Sequence, residues 1–166
     1  PEVDSAIMQV IENAQFINGP QVSSFQADLE KYLDVKHVIP CANGTDALQI
    51  ALMALDLKPG DEIITPSFTY IATTEVIALL GLKPIFVDVD KDTFCIDPSL
   101  IEAVITPNTK AIVPVHLYGQ TSNMEAIMEI ATKHSLYVIE DNAQAIGSDY
   151  HMPNGDVKSG TIGHIG

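Results

Sequence analysis

Leu136-Tyr137-Val138-Ile139-Glu140-Asp141-Asn142-Ala143-Gln144-Ala145-Ile146-Gly147 is the stretch on which the reading of this chain turns. Leu136 to Ile139 is a short apolar run, partly β-branched, of the kind that fills a strand buried on both faces of a parallel sheet. It runs into two acids, Glu140 and Asp141, and then into small residues. In open α/β sheets ligands bind beyond the carboxyl ends of the strands. An acid placed there either caps the next backbone turn or faces a ligand, and this stretch alone does not choose between the two.

Working outward, strand-like and helix-like segments alternate. The spacing of Val3, Ile7, Val10, Ile11 and Ala14 predicts a helix over 2–15, which Asn18-Gly19-Pro20 ends. A second amphipathic helix is predicted over 22–33, with Phe25, Leu29, Tyr32 and Leu33 on its apolar side. Strands are predicted over 37–41, 62–65, 84–88, 110–115 and 136–140, and helices over 45–55, 69–80, 98–105 and 123–134. The Met152–Asp156 segment, MPNGD, reads as a turn. Strand followed by helix, about five times over, predicts a three-layer αβα fold with a mostly parallel sheet, helices on both faces and right-handed crossovers.

Composition narrows the classes. The 166 residues are 46% hydrophobic, enough for a sizeable core, and carry a formal charge of −14. All eight basic residues are lysines, spread singly, which argues against nucleic acid and anionic membranes because a phosphate-tracking surface needs clustered cations. No apolar run reaches the length of a membrane span, and the PEVDSAIMQV start has neither a basic region nor a signal-peptide core. Cys41 and Cys95 have no zinc spacing and suggest reduced thiols in the cytoplasm. The histidines lack H-E-x-x-H spacing, so no metal site is expected. The dinucleotide, P-loop and nucleophile-elbow motifs are absent. A receiver-like reading fails because the predicted first strand, 37–41, ends without an acid pair. Asp88, Asp90 and Asp92 read as an ordinary acidic turn.

Two further stretches carry chemistry. In Cys41–Leu48, CANGTDAL, a turn at Asn43-Gly44 leads into a helix starting at about Thr45. Free N–H groups and the positive end of a helix dipole at that point favour an anion such as phosphate. Gly44 allows a tight turn and close approach of a ligand, and Thr45 adds a hydroxyl. A plain N-cap by Thr45 explains the same octapeptide equally well. In Thr65–Thr73, TPSFTYIAT, Phe68 and Tyr70 lie just past a strand end. Tyr70 has the better claim to stack on a flat ring, and Phe68 suits the interior.

Taken together, CANGTDALQIAL, GDEIITPSFTYIATTEVIALLGLKPIFVDVD, ITPNTKAIVPVHLYGQ and VIEDNAQAIG, in this order, resemble the DegT/DnrJ/StrS family of pyridoxal-phosphate-dependent sugar aminotransferases. The resemblance covers about 18–166. It implies the large domain of a fold-type I aminotransferase, a homodimer with active sites at the subunit interface, nucleotide-linked keto-sugars as substrates and, usually, glutamate as amino donor. It implies that Asp141 pairs with the pyridine nitrogen of pyridoxal 5'-phosphate and keeps it protonated. Gln144 would then lie near the ring oxygen and Tyr70 on the ring face. Gly44, Thr45 and the N–H of Asp46 would hold the phosphate, with the Asp46 carboxylate turned away. The family's Schiff-base lysine lies in a segment downstream of GTIGHIG, so residues 1–166 are expected to be an incomplete cofactor-binding domain without that lysine, without the C-terminal small domain and without activity of their own. A branch of the family carries histidine in place of the lysine and dehydrates sugars. A non-catalytic phospholigand-binding module is the other alternative.

Overall fold

The computed structural model describes residues 1–153 and 155–166. They form two compact units, Pro1–Cys41 and Ala42–Gly166.

The first unit holds helices α1 (Glu2–Glu12) and α2 (Pro20–Leu33). Pro20 opens α2, where its missing N–H costs nothing. The strand predicted over 37–41 does not form. The N–H of Val38 donates instead to the Glu30 carboxylate at 3.1 Å, and Pro40 has no N–H to give, so this run cannot supply a regular ladder of donors.

In the second unit, α3 (Gly44–Ala54) precedes a four-stranded parallel sheet. Its strands are β1 (Glu62–Pro66), β2 (Lys83–Val87), β3 (Thr109–Ile112) and β4 (Tyr137–Val138), in the order β2-β1-β3-β4. Helix α4 (Ala72–Leu79) links β1 to β2, and α5 (Met124–His134) links β3 to β4. Alternation along the strands sorts the core into two layers. Ile64, Ile112 and Val138 pack with Met124 and Ile127 of α5. Ile63, Ala111, Val113 and Ile139 pack with Leu52 of α3 and with Val76 and Ile77 of α4. Helices therefore cover both faces, as the sequence predicts.

The sheet order places β1 and β3 side by side, with the chain departing from them in opposite directions. Such a switch point opens a crevice at the carboxyl edge. A bridge between Val115 and Asp141 extends the β3–β4 pairing to that edge.

Two helices and one side chain depart further from expectation. The predicted helix over 98–105 is two short 3₁₀ turns, Pro98–Leu100 and Glu102–Val104, because Asp97 caps a tight turn and Ile101 between them is drawn fully into the core. Helix α4 begins at Ala72, later than predicted, since Ser67 to Ile71 serve as the rim of the sheet. Phe68 is not interior: it is 47% exposed, beyond the end of β1, with its ring 5.8 Å from Phe94. The acidic turn is as read, with the Asp90 carboxylate accepting from the N–H groups of Asp92 and Thr93 at 2.9 Å. Strands β5 (Asp149–Met152) and β6 (Gly155–Lys158) form an antiparallel hairpin. Asn154 of the predicted turn between them lies outside the described residues. Among the described residues no helix is long and apolar enough to cross a membrane.

Candidate active site

Asp141 sits where β4 ends. Its N–H donates to the Pro114 carbonyl at 2.9 Å and its own carbonyl accepts from the His116 N–H at 3.0 Å. These two ladder bonds fix the backbone independently of the side chain. Asp141 as a whole is 8% exposed. One oxygen accepts from the Thr73 hydroxyl at 2.7 Å and the other from the Ala143 N–H at 3.3 Å. Both donors are neutral. Among the described residues no lysine or histidine side chain bonds this carboxylate, although a carboxylate withdrawn from water is best matched by a cation. This buried carboxylate therefore has two neutral donors and, among the described residues, no cationic partner.

Gln144 lies one turn further along and is exposed. Its amide oxygen accepts from the Tyr118 N–H at 2.9 Å, which leaves the amide NH₂ as a donor. Tyr118 is held at φ 57°, in the left-handed region that non-glycine residues rarely adopt. Its ring meets Phe94 edge-on at 6.4 Å, so Phe68, Phe94 and Tyr118 form an aromatic rim at the carboxyl edge. Tyr70 follows β1 at the same edge and is 72% exposed.

The start of α3 is capped by Asn43, not Thr45. The Asn43 side-chain oxygen accepts from the Asp46 N–H at 2.9 Å, and its NH₂ donates to the Asp46 carboxylate at 3.0 Å. This reciprocal arrangement turns the Asp46 carboxylate onto Asn43 and also occupies the N–H expected to hold phosphate. Gly44 and Thr45 remain as first-turn residues whose N–H groups have no partner within the helix. A Cβ at Gly44 would meet nothing within 4 Å, so the approach to these groups is open. An acidic acceptor at Asp141, an amide donor at Gln144, an exposed ring at Tyr70 and an open helix start at Gly44 and Thr45 are the residue types that a pyridoxal phosphate site needs.

Two features of the site are not legible in the sequence. Thr73 lies 68 residues from Asp141 and meets it only through the fold; a hydroxyl at the start of a helix that follows a strand is a weak signal for it. Next to Asp141, the Glu140 carboxylate is 2% exposed and takes four donors: His116 Nε2 at 2.8 Å and the N–H groups of Gly160, Ile162 and Gly163 at 3.0, 2.7 and 2.5 Å. His116 Nδ1 accepts from the Ser122 N–H, so Nε2 carries the proton it gives to Glu140. Burial pushes the Glu140 carboxyl up, but the bonds from His116, Gly163 and Ile162 outweigh it and hold the group below its ordinary value. The paired acids differ in their partners: four donors end on Glu140 and two neutral donors on Asp141.

The sequence matches the profile of the DegT/DnrJ/EryC1/StrS aminotransferase family over residues 1–166. The chain belongs to this family. Among curated members it is 52% identical over 149 residues to the UDP-2-acetamido-2-deoxy-3-oxo-D-glucuronate aminotransferase of Pseudomonas aeruginosa, covering 90% of this chain and 42% of that one. A DegT/DnrJ/EryC1/StrS aminotransferase from Brucella abortus superposes with a TM-score of 0.90 at 42% identity, over 97% of this chain and 44% of its own. NtdA of Bacillus subtilis, solved with its cofactor PMP bound, superposes with a TM-score of 0.85 at 45% identity, over 86% of this chain and 33% of its own. The chain spans less than half the length of each of these relatives. The αβα architecture with its parallel sheet is accordingly that of the fold-type I aminotransferases of the DegT/DnrJ/EryC1/StrS family.

Proposed function

We propose that residues 1–166 are the cofactor-holding part of a pyridoxal-phosphate-dependent aminotransferase that moves an amino group from an amino-acid donor, glutamate in the first instance, to a nucleotide-linked keto-sugar. The observation that carries this reading is the buried Asp141 carboxylate with only neutral donors at the carboxyl edge of the sheet. When bound, the protonated pyridine ring supplies an electron sink for the reacting carbon. Asp141 holds the proton on the ring nitrogen. Gln144 donates to the ring oxygen, and Tyr70 covers one ring face. Gly44 and Thr45 direct their N–H groups at the phosphate; Asp46 joins them only by exchanging its Asn43 cap. The relative from Pseudomonas aeruginosa supports the sugar class, since its name specifies a UDP-linked 3-keto sugar acid. We place the complete enzyme in the cytoplasm as a homodimer, consistent with the family resemblance.

The test uses the complete protein loaded with pyridoxal phosphate. Glutamate is expected to convert the bound cofactor to its amino form, read as loss of the pyridoxal absorbance, and a UDP-linked 3-keto sugar is expected to restore it. No change with any amino acid would overturn the aminotransferase reading, and deoxygenated sugar as the product would place the protein in the dehydratase branch.

A second expectation concerns the lysine that holds the cofactor, which we place outside residues 1–166. Lys83 pairs with Glu62 at 2.9 Å and Lys110 donates to the Pro107 carbonyl, both at the amino end of the sheet, opposite Asp141. Lys58, Lys133 and Lys158 pair with Asp56, Glu102 and Asp149. Borohydride reduction of the loaded complete protein, followed by peptide mapping, is expected to label one lysine beyond Gly166. Stoichiometric label on any of the eight lysines of this stretch would refute the assignment.

A further inference from the structure

We propose that Thr73 is a positioning residue for Asp141: its hydroxyl sets the rotation of the carboxylate so that a defined oxygen lone pair faces the crevice. The inference rests on the reading of Asp141 as the partner of the cofactor's ring nitrogen.

The geometry is specific. Thr73 is 2% exposed and stands in the first turn of α4. The N-cap of that helix, Ile71, makes no side-chain cap bond, and the Thr73 hydroxyl is not spent on its own helix end. A threonine hydroxyl inside a helix commonly turns back to a carbonyl in the preceding turn. Here it reaches the Asp141 carboxylate at 2.7 Å, within the range of a charge-assisted O–H···O⁻ bond.

The contact also spans the sheet. Thr73 follows β1 and Asp141 follows β4, with β3 between them. The bond therefore ties together the two sides of the crevice in which the ring is proposed to lie. The alternative anchor, the Ala143 N–H, is long at 3.3 Å and comes from two residues further along the same turn. Without Thr73 the carboxylate keeps its place on the backbone and loses the stronger of its two side-chain restraints. Threonine suits the task because branching at Cβ limits χ1, so the hydroxyl is aimed before the cofactor arrives. Preorganised groups of this kind act without reorganising during the reaction.

The experiment compares Thr73→Ser, Thr73→Val and Thr73→Ala with Asp141→Asn, all in the complete protein. If Thr73 positions Asp141, the hydroxyl decides and serine ranks with threonine. The valine and alanine variants then lose about tenfold or more in kcat, as expected for a hydrogen bond to a charged group, with KM for the sugar unchanged. The bound cofactor's absorption also loses part of the band from the ring-protonated form, and its Kd by equilibrium dialysis rises. If Thr73 only packs, shape decides and valine ranks with threonine on every readout. That ranking, with Asp141→Asn impaired, overturns the positioning role. Wild-type turnover and spectrum in Asp141→Asn would overturn the reading on which it rests. Thermal melts of each variant separate a folding defect from either outcome, since serine and alanine lose similar packing and differ only in the hydroxyl.

Discussion

Asp141→Ala in the complete protein is expected to lose about two to three orders of magnitude in kcat, the scale seen when one preorganised electrostatic partner of a reacting group is removed. The fold should survive. The backbone of Asp141 is held through its bonds with Pro114 and His116, which the substitution leaves in place. What is lost locally is an acceptor for Thr73 and Ala143, a cost of about 1–3 kcal/mol against a total stability of about 5–15 kcal/mol. The defect should therefore appear in turnover and in the protonation state of the bound cofactor, with the far-ultraviolet circular dichroism unchanged. Steady-state kinetics on cofactor-saturated enzyme measure it. Normal turnover with cofactor bound would show that Asp141 is not the partner of the ring nitrogen.

How much of this site is legible in the sequence follows from what each signal depends on. The inner strands β1 and β3 are legible because burial on both faces leaves an unbroken apolar run, as in Ile63-Ile64 and Ala111-Ile112. The predicted strand over 37–41 has the same apolar look, but a strand needs a partner and a regular set of donors. Val38 gives its N–H to Glu30 and Pro40 has none. Periodicity reports what a side chain prefers and is silent on where the backbone bonds go. The same limit explains the cap of α3. Both Asn43 and Thr45 are good caps by type, and only the position of the first turn shows that Asn43 makes the bond. The place of Asp141 at the carboxyl edge is legible from its position after a strand, because that edge is a property of the whole fold class. Thr73 and the His116–Glu140 pair are not, since their contacts join residues 68 and 24 apart and depend on sheet order and register. Phe68 is misread for a related reason: its type favours burial, but its place beyond the end of β1 puts it on the rim.

Glu140→Ala is expected to be the most destabilising single substitution considered for this chain, at about 3–5 kcal/mol, because several buried donors would each lose their acceptor at about 1–3 kcal/mol apiece, partly offset by relaxation. The reason is the number of groups it would strand. Three backbone N–H groups, from Gly160, Ile162 and Gly163, and the Nε2–H of a fully buried His116 all end on this one carboxylate. Those bonds hold the segment after β6 against the end of β4, where Ile139 and Ile165 also bridge. The fit there is close: a Cβ on Gly163 would come within 3.0 Å of the Val138 carbonyl oxygen. Glu140→Gln keeps one acceptor oxygen but replaces the other with an NH₂ that faces donors, so it should fall between alanine and the wild type. Urea unfolding at neutral pH measures both. The sign of the pH dependence follows from the lowered carboxyl value. The unfolded chain takes up the proton first, at about pH 4.3, so the stabilisation from Glu140 is fully present above that pH and is lost as pH falls through the lower folded value. The gap in stability between wild type and Glu140→Gln should accordingly be constant near neutrality and close on acidification. An alanine variant as stable as the wild type at pH 7, or a gap that widens in acid, would refute the role assigned to Glu140 as the acceptor that locks the site's neighbouring loop in place.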